Sequence, residues 1–71
     1  MTLETLSIRV NGEHRRVAKG LSIAEMLNEM GVDPLRVAVE RNLNVVARGT
    51  LGEVQVEDGD DSEVVHFVGG G

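Results

Sequence analysis

The sequence predicts an α+β fold in which one main helix packs on one face of a mixed sheet of four to five strands. Three features support this: an alternating apolar segment that ends at a hairpin signal, a capped amphipathic segment, and a valine-rich segment near the C-terminus. A chain of 71 residues has room for one hydrophobic core. We therefore expect a single domain over residues 1–71, with a tail from about residue 68 to residue 71.

The first element is a predicted hairpin. Apolar residues occupy every second position from Leu6 to Val10, and Asn11-Gly12 follows directly. Both turn residues tolerate the positive φ that a two-residue hairpin turn requires. A return strand is expected from Arg15 to Ala18.

The second element is a predicted helix over residues 22–30. It opens with Ser22-Ile23-Ala24-Glu25, which has the spacing of a capping box. Gly31 and then Asp33-Pro34 mark its end. The residues that form one apolar stripe at helical spacing are Ile23, Met26, Leu27 and Met30.

The C-terminal half contains shorter elements. We expect a buried strand over residues 37–39, a turn over 42–44 leading into Val45-Val46, and a loop over 49–52. Val54 and Val56 fit either a brief strand or a turn, Glu57 to Asp61 a solvated polar turn, and Glu63 to Val68 the final strand. If the first and last strands are adjacent, parallel and central, the arrangement is a β-grasp, the ubiquitin-like fold.

Composition excludes several functional classes. Seven basic against twelve acidic side chains give a net charge of -5, which argues against nucleic acid and suits a partner with a basic docking face. The arginines are scattered, so most are expected to be ordinary surface charges. The absence of cysteine excludes disulfides, thiolate metal sites and a cysteine nucleophile. With no apolar run of membrane-spanning length and no signal-peptide pattern, we expect a cytoplasmic protein and no membrane partner.

The C-terminal segment is the candidate for chemistry. It reads Val68-Gly69-Gly70-Gly71, so residues without side chains precede the α-carboxylate. Extended glycines can pass through a channel too narrow for side chains. Four extended residues span at most roughly 14 Å, enough to enter the active site of a docked partner. Taken alone, such an end also fits a frayed tail.

Three segments carry a resemblance to a known family. Residues 33–42, Asp58-Gly59-Asp60 and residues 64–71 resemble the bacterial thiamine-biosynthesis sulfur carriers, the ThiS family. Many members have Pro-Arg followed shortly by Trp, whereas this chain has Ala47-Arg48 and then Leu51. Ser62 stands where a valine is common. The changes at Ala47 and Leu51 put partner contacts near that loop in doubt.

The resemblance implies a carrier rather than an enzyme. A ThiF-like adenylating enzyme of the ubiquitin-activating type would use ATP to adenylate the carboxylate of Gly71, with Gly70 and Gly69 providing passage. A cysteine desulfurase or sulfurtransferase would supply sulfur for a thiocarboxylate, and a ThiG-like thiazole synthase would receive it. The carrier itself would bind no cofactor and no metal.

Two questions stay open from sequence alone. Val65 and Phe67 share one face of the last strand, whereas Val64 and His66 share the other. Phe67 then belongs either to the core or, as the resemblance favours, to an exposed docking patch with Val65. His66 fits a structural or solvated role better than that of a base.

The second question is the function itself. A sulfur carrier for molybdopterin or another metabolite would share the fold and the tail. A ubiquitin-like protein modifier and a plain β-grasp binding module are further alternatives. The segment over residues 33–42 favours the thiamine branch.

Overall fold

The computed structural model describes residues 4–67, which form a five-stranded mixed sheet with one helix on one face. The strands and the α-helix in chain order are β1 (Thr5–Val10), β2 (Glu13–Ala18), α1 (Ile23–Glu29), β3 (Val37–Arg41), β4 (Asn44–Val46) and β5 (Asp61–His66). Two 3₁₀ helices, Pro34–Arg36 and Arg48–Thr50, precede β3 and follow β4, so the predicted loop over residues 49–52 was wrong at its first two residues. The strand order is β2-β1-β5-β3-β4, and β1 and β5 run parallel at the centre. This topology confirms the predicted β-grasp. Within residues 4–67, no helix is long and apolar enough to cross a membrane.

The first hairpin forms at the predicted turn. Asn11 and Gly12 have φ values of 51° and 80°, as a two-residue turn of the primed type requires. Strand β2 begins at Glu13, two residues before the predicted start, because Val10 pairs with Glu13 immediately across the turn. The alternation in β1 places Ile8 and Val10 in the core.

The helix begins with the predicted capping box. The Ser22 hydroxyl accepts a hydrogen bond from the Glu25 amide at 3.0 Å, and the Glu25 carboxylate accepts one from the Ser22 amide at 2.9 Å. Ser22 and Met30 are the caps, so the predicted helix over residues 22–30 is confirmed. Its apolar stripe packs on the sheet.

The core lies between the helix and the inner face of the sheet. Its buried hydrophobic residues are Ile8, Val10, Ile23, Met26, Leu27, Val37, Val39, Leu51, Val56 and Val64. They come from the helix, three strands of the sheet (β1, β3 and β5) and the connection between β4 and β5. That connection is held to the helix start by an isolated bridge between Ser22 and Gln55. Val54 and Val56 therefore lie on either side of a single bridge residue, Gln55, and do not form a strand.

The boundaries of two further predicted strands were wrong. Strand β3 extends to Arg41, two residues past its predicted end. Strand β5 begins at Asp61 rather than Glu63, because Asp61 is the register partner of Arg9 in β1 and Ser62 that of Arg41 in β3. The predicted end of this strand, Val68, lies outside the described residues.

The predicted solvated turn over residues 57–61 was wrong at Asp60. This side chain is buried, and its carboxylate accepts hydrogen bonds from Arg41 Nε at 2.9 Å, the Glu57 amide at 2.9 Å and Asn42 Nδ2 at 3.2 Å. A buried carboxylate is stable only when such donors replace water. The hydrogen bond to Asp60 raises the pKa of the Arg41 guanidinium above its ordinary value, although burial opposes the rise. The polar turn is therefore tied to the β3–β4 hairpin.

Candidate docking face and tail root

The orientation of β5 decides which of its side chains are available to a partner. Val64 is buried against the core, whereas Val65 and Phe67 are 60% and 52% exposed. Of the two arrangements that the sequence left open, the structure therefore has Val65 and Phe67 facing outward. Their role in docking stays a prediction.

Val65 belongs to a sheet face that the helix does not cover. The register places Ala38 opposite Val65, and Glu40 between Glu63 on one side and Val45 on the other. Val45 is 78% exposed. We name the set Ala38, Glu40, Val45, Glu63 and Val65, together with Phe67 at its edge, the open face. It combines an apolar strip with two carboxylates.

The side chain of Asn11 is hydrogen-bonded to the part of β5 that contributes residues to the open face. Its side-chain Oδ1 accepts a hydrogen bond from the Val64 amide at 2.7 Å, and its Nδ2 donates to the Val64 carbonyl at 3.2 Å. The side-chain amide thus continues the parallel pairing beyond Val10 and Ser62. The sequence identified Asn11 as a turn residue but carries no signal for this second role.

Phe67 directly follows β5, and two other segments, Leu35-Arg36 and Arg48, meet at it. Its amide donates to the Arg36 carbonyl at 3.0 Å. The Cζ atom of Arg48 lies 4.7 Å from the centre of the Phe67 ring, a cation–π contact, and Arg48 Nη2 donates to the Leu35 carbonyl. We name this arrangement the tail root. Sequence reasoning treated these arginines as scattered surface charges and missed their convergence.

The remaining residues that the sequence singled out are the terminal glycines, the two histidines and Leu51. Gly69, Gly70 and Gly71 lie outside the described residues, so their roles stay predictions. His66 is exposed, as is His14, whose Nε2 lies 2.5 Å from the Ser7 hydroxyl. Leu51, one of the departures from the family pattern, is a core residue and is not available for a surface contact.

Comparison with known proteins identifies the family. The model of the ThiS family matches residues 8–71. The chain belongs to the ThiS family. The sulfur carrier protein ThiS of Bacillus subtilis is 34% identical over 65 residues, which cover 90% of this chain and 98% of that protein.

Two further matches extend the comparison within and beyond the ThiS family. The crystal structure of the thiamine biosynthesis protein ThiS from Geobacter metallireducens has a TM-score of 0.79 and 35% identity, and covers 93% of this chain and 100% of that one. A thiazole synthase of Paramagnetospirillum magneticum is 42% identical over 66 residues, 93% of this chain. The chain spans only 20% of that longer protein.

The ThiS-family match includes both surface features described above. The open face, the tail root and the terminal glycines all fall within residues 8–71. The family assignment therefore rests on the segments that carry the candidate site as well as on the core.

Proposed function

We propose that this ThiS-family chain is a sulfur carrier of thiamine biosynthesis, which acts in the cytoplasm as a cosubstrate rather than as an enzyme. The observation that carries the proposal is the family match over residues 8–71, which extends through the terminal glycines. Similarity to the sulfur carrier protein of B. subtilis over 98% of its length supports the same role.

The proposed chemistry begins at the carboxylate of Gly71. A carboxylate is a poor electrophile because it is anionic and resonance-stabilised. Its oxygen attacks the α-phosphorus of ATP on a ThiF-like adenylating enzyme, and pyrophosphate leaves. A sulfide equivalent then attacks the carbonyl carbon, the bond to AMP breaks, and AMP leaves with the electron pair. The product is a thiocarboxylate.

The thiocarboxylate is the form that delivers sulfur. Its sulfur is a nucleophile, so it can attack an electrophilic carbon of the ring precursor held by a thiazole synthase. Water then cleaves the bond between that sulfur and the Gly71 carbonyl carbon, which leaves the sulfur on the precursor and returns the Gly71 carboxylate. Similarity of this chain to a fifth of a protein named thiazole synthase supports a synthase as the recipient. A cysteine desulfurase or a sulfurtransferase supplies the sulfur.

The proposed division of labour assigns docking to the open face and reaction to the tail. Val65 and Phe67 contact the partner, and Gly70 and Gly69 let the terminal carboxylate pass into its active site. The catalytic groups and the ATP site then belong to the partner. Exposure of Val65 and Phe67 supports this division.

The test uses the chain, the cognate adenylating enzyme, MgATP and sodium sulfide, with intact mass as the readout. We expect one oxygen to be replaced by sulfur. Deleting Gly71, or appending one alanine after it, should abolish both this change and ATP–pyrophosphate exchange. The matched control is a chain with one alanine added before Met1, which should react normally.

Circular dichroism of the three variants separates loss of reaction from loss of fold. Unchanged pyrophosphate exchange by the chain without Gly71 would contradict the proposal. So would covalent attachment of the wild-type chain to lysines of other proteins in place of thiocarboxylate formation.

A further inference from the structure

The open face carries a pair of like charges in direct register. Glu40 of β3 and Glu63 of β5 are Cα partners in the antiparallel ladder, and both are exposed. Among residues 4–67, neither carboxylate forms an ion pair. Arg9 of β1 is the register partner of Asp61, which lies two residues before Glu63, and is not opposite Glu63 itself. Like charges directly opposite one another destabilise a sheet.

Apolar side chains border this carboxylate pair. Val45 pairs with Glu40 on the far side from Glu63, and Ala38 and Val65 form the adjacent row. Val45 and Val65 are among the most exposed large hydrophobic residues of the described chain. The helix packs on the opposite face, so no described element covers this row. An exposed apolar strip on a small domain is typical of an interaction surface.

We infer that the open face docks an apolar protein surface from which one basic side chain reaches Glu40 and Glu63 together. The inference rests on the proposed function, and the partner to which we assign this surface is the adenylating enzyme. An arginine fits best, because its planar fork can donate to two carboxylates while its aliphatic stem packs on Val45. The net charge of -5 further favours approach of a basic surface.

The carboxylate pair has opposite effects on folding and on docking. In the free domain the two charges repel each other, so neutralising one should not lower the melting temperature and should raise it slightly. In the complex a cation between them removes the repulsion, so the same change should weaken docking. If the pair had a purely structural role, neutralising one carboxylate would not weaken docking while leaving the melting temperature unchanged or higher.

The experiment compares charge reversals at matched positions. Glu40→Lys and Glu63→Lys alter the open face, whereas Glu29→Lys alters an exposed position on α1. Each reversal raises the net charge by two units, so all three have the same effect on overall steering. We expect Glu40→Lys and Glu63→Lys each to raise the KM for the carrier in pyrophosphate exchange about tenfold with little change in kcat, as loss of an interfacial charge contact does.

The control and the neutral variant complete the test. Glu29→Lys should change KM less than about twofold. Glu40→Gln should raise KM while leaving the melting temperature unchanged or higher. Equal KM values for the three reversal variants would overturn the inference and leave the proposed function intact if the wild type is adenylated. A wild-type chain that is not adenylated would overturn both.

Discussion

At the scale of single residues, Asp60 connects the polar turn before β5 to the β3–β4 hairpin. It is 5% exposed, and its main cationic partner, Arg41, has a side chain that is 20% exposed. Asp60→Ala would leave the Arg41 guanidinium with Glu57 alone and leave the Glu57 amide without its acceptor. We expect the free energy of unfolding to fall by about 2–3 kcal/mol, measured by urea denaturation followed by circular dichroism.

The control for Asp60 is its neighbour in the chain. Asp61→Ala removes an exposed carboxylate and should change stability by less than about 0.5 kcal/mol. Equal losses for the two variants would show that the Asp60 network contributes no more than a surface charge. Because the hydrogen bond to Asp60 raises the pKa of the Arg41 guanidinium, the contribution of the charged guanidinium to stability is complete below its unfolded-state pKa and is lost only as the pH rises through the raised value. The deficit of Asp60→Ala should therefore persist from about pH 7 to about pH 10.

The sequence could indicate which residues share a face, but not which face is buried. Alternation placed Val65 and Phe67 together, and the packing of Val64 beside Val39 across β3 and β5 decided the direction. Asp60 lies in a segment whose composition is typical of solvated turns, and Arg41, far away in sequence, ends strand β3. Their pairing exists only once the hairpin and the turn have docked.

At the scale of elements, the β3–β4 hairpin has a turn that its sequence does not favour. Asn42 and Leu43 have φ values of 51° and 71°, and Leu43 is 92% exposed. A side chain with a Cβ atom is disfavoured in this left-handed region, and leucine here buries no surface in return. Leu43→Gly should raise the free energy of unfolding by about 0.5–1 kcal/mol, measured by thermal denaturation.

Leu43→Ala is the matched control for the hairpin. It removes the same exposed leucine side chain but keeps the Cβ atom, so the conformational cost remains. The glycine variant should therefore melt at a higher temperature than the alanine variant. Identical melting temperatures for the two variants would show that a Cβ atom at positive φ does not destabilise this turn.

Elements with local signals were predicted well, and those that depend on distant partners were not. The capping box and the Asn-Gly turn act over three or four residues, so α1 and the first hairpin could be placed from sequence. The first residues of β5, Asp61 and Ser62, have the composition of a turn. They become strand because Arg9 of β1 and Arg41 of β3 pair with them.

At the scale of the whole molecule, the parallel pairing of β1 and β5 joins the two ends of the chain. Arg9 and Asp61 are register partners although most of the chain lies between them. Such a contact leaves no trace in local sequence pattern, so the order of elements predicted the β-grasp only on the condition that the first and last strands are adjacent. The candidate site also depends on long-range pairing, because the open face exists only when β3 and β5 are neighbours.

The small size of the domain leaves little reserve of stability. For 71 residues the free energy of unfolding is expected to be about 4–10 kcal/mol. Leu27 is fully buried at the centre of the core, and Leu27→Ala should cost about 2–5 kcal/mol through lost burial and the cavity left behind. A single substitution would then remove a large share of the total, visible as a much lower urea midpoint.

Leu35→Ala makes the same chemical change where it should cost little. Leu35 is 77% exposed, so its truncation should alter stability by less than about 0.5 kcal/mol. Its amide and carbonyl hydrogen bonds, to Asp33 and Arg48, involve the backbone and persist in the variant. Equal urea midpoints for the two leucine variants would contradict a fold held by this one core. A large difference would show that packing of the helix against the inner face stabilises the sheet.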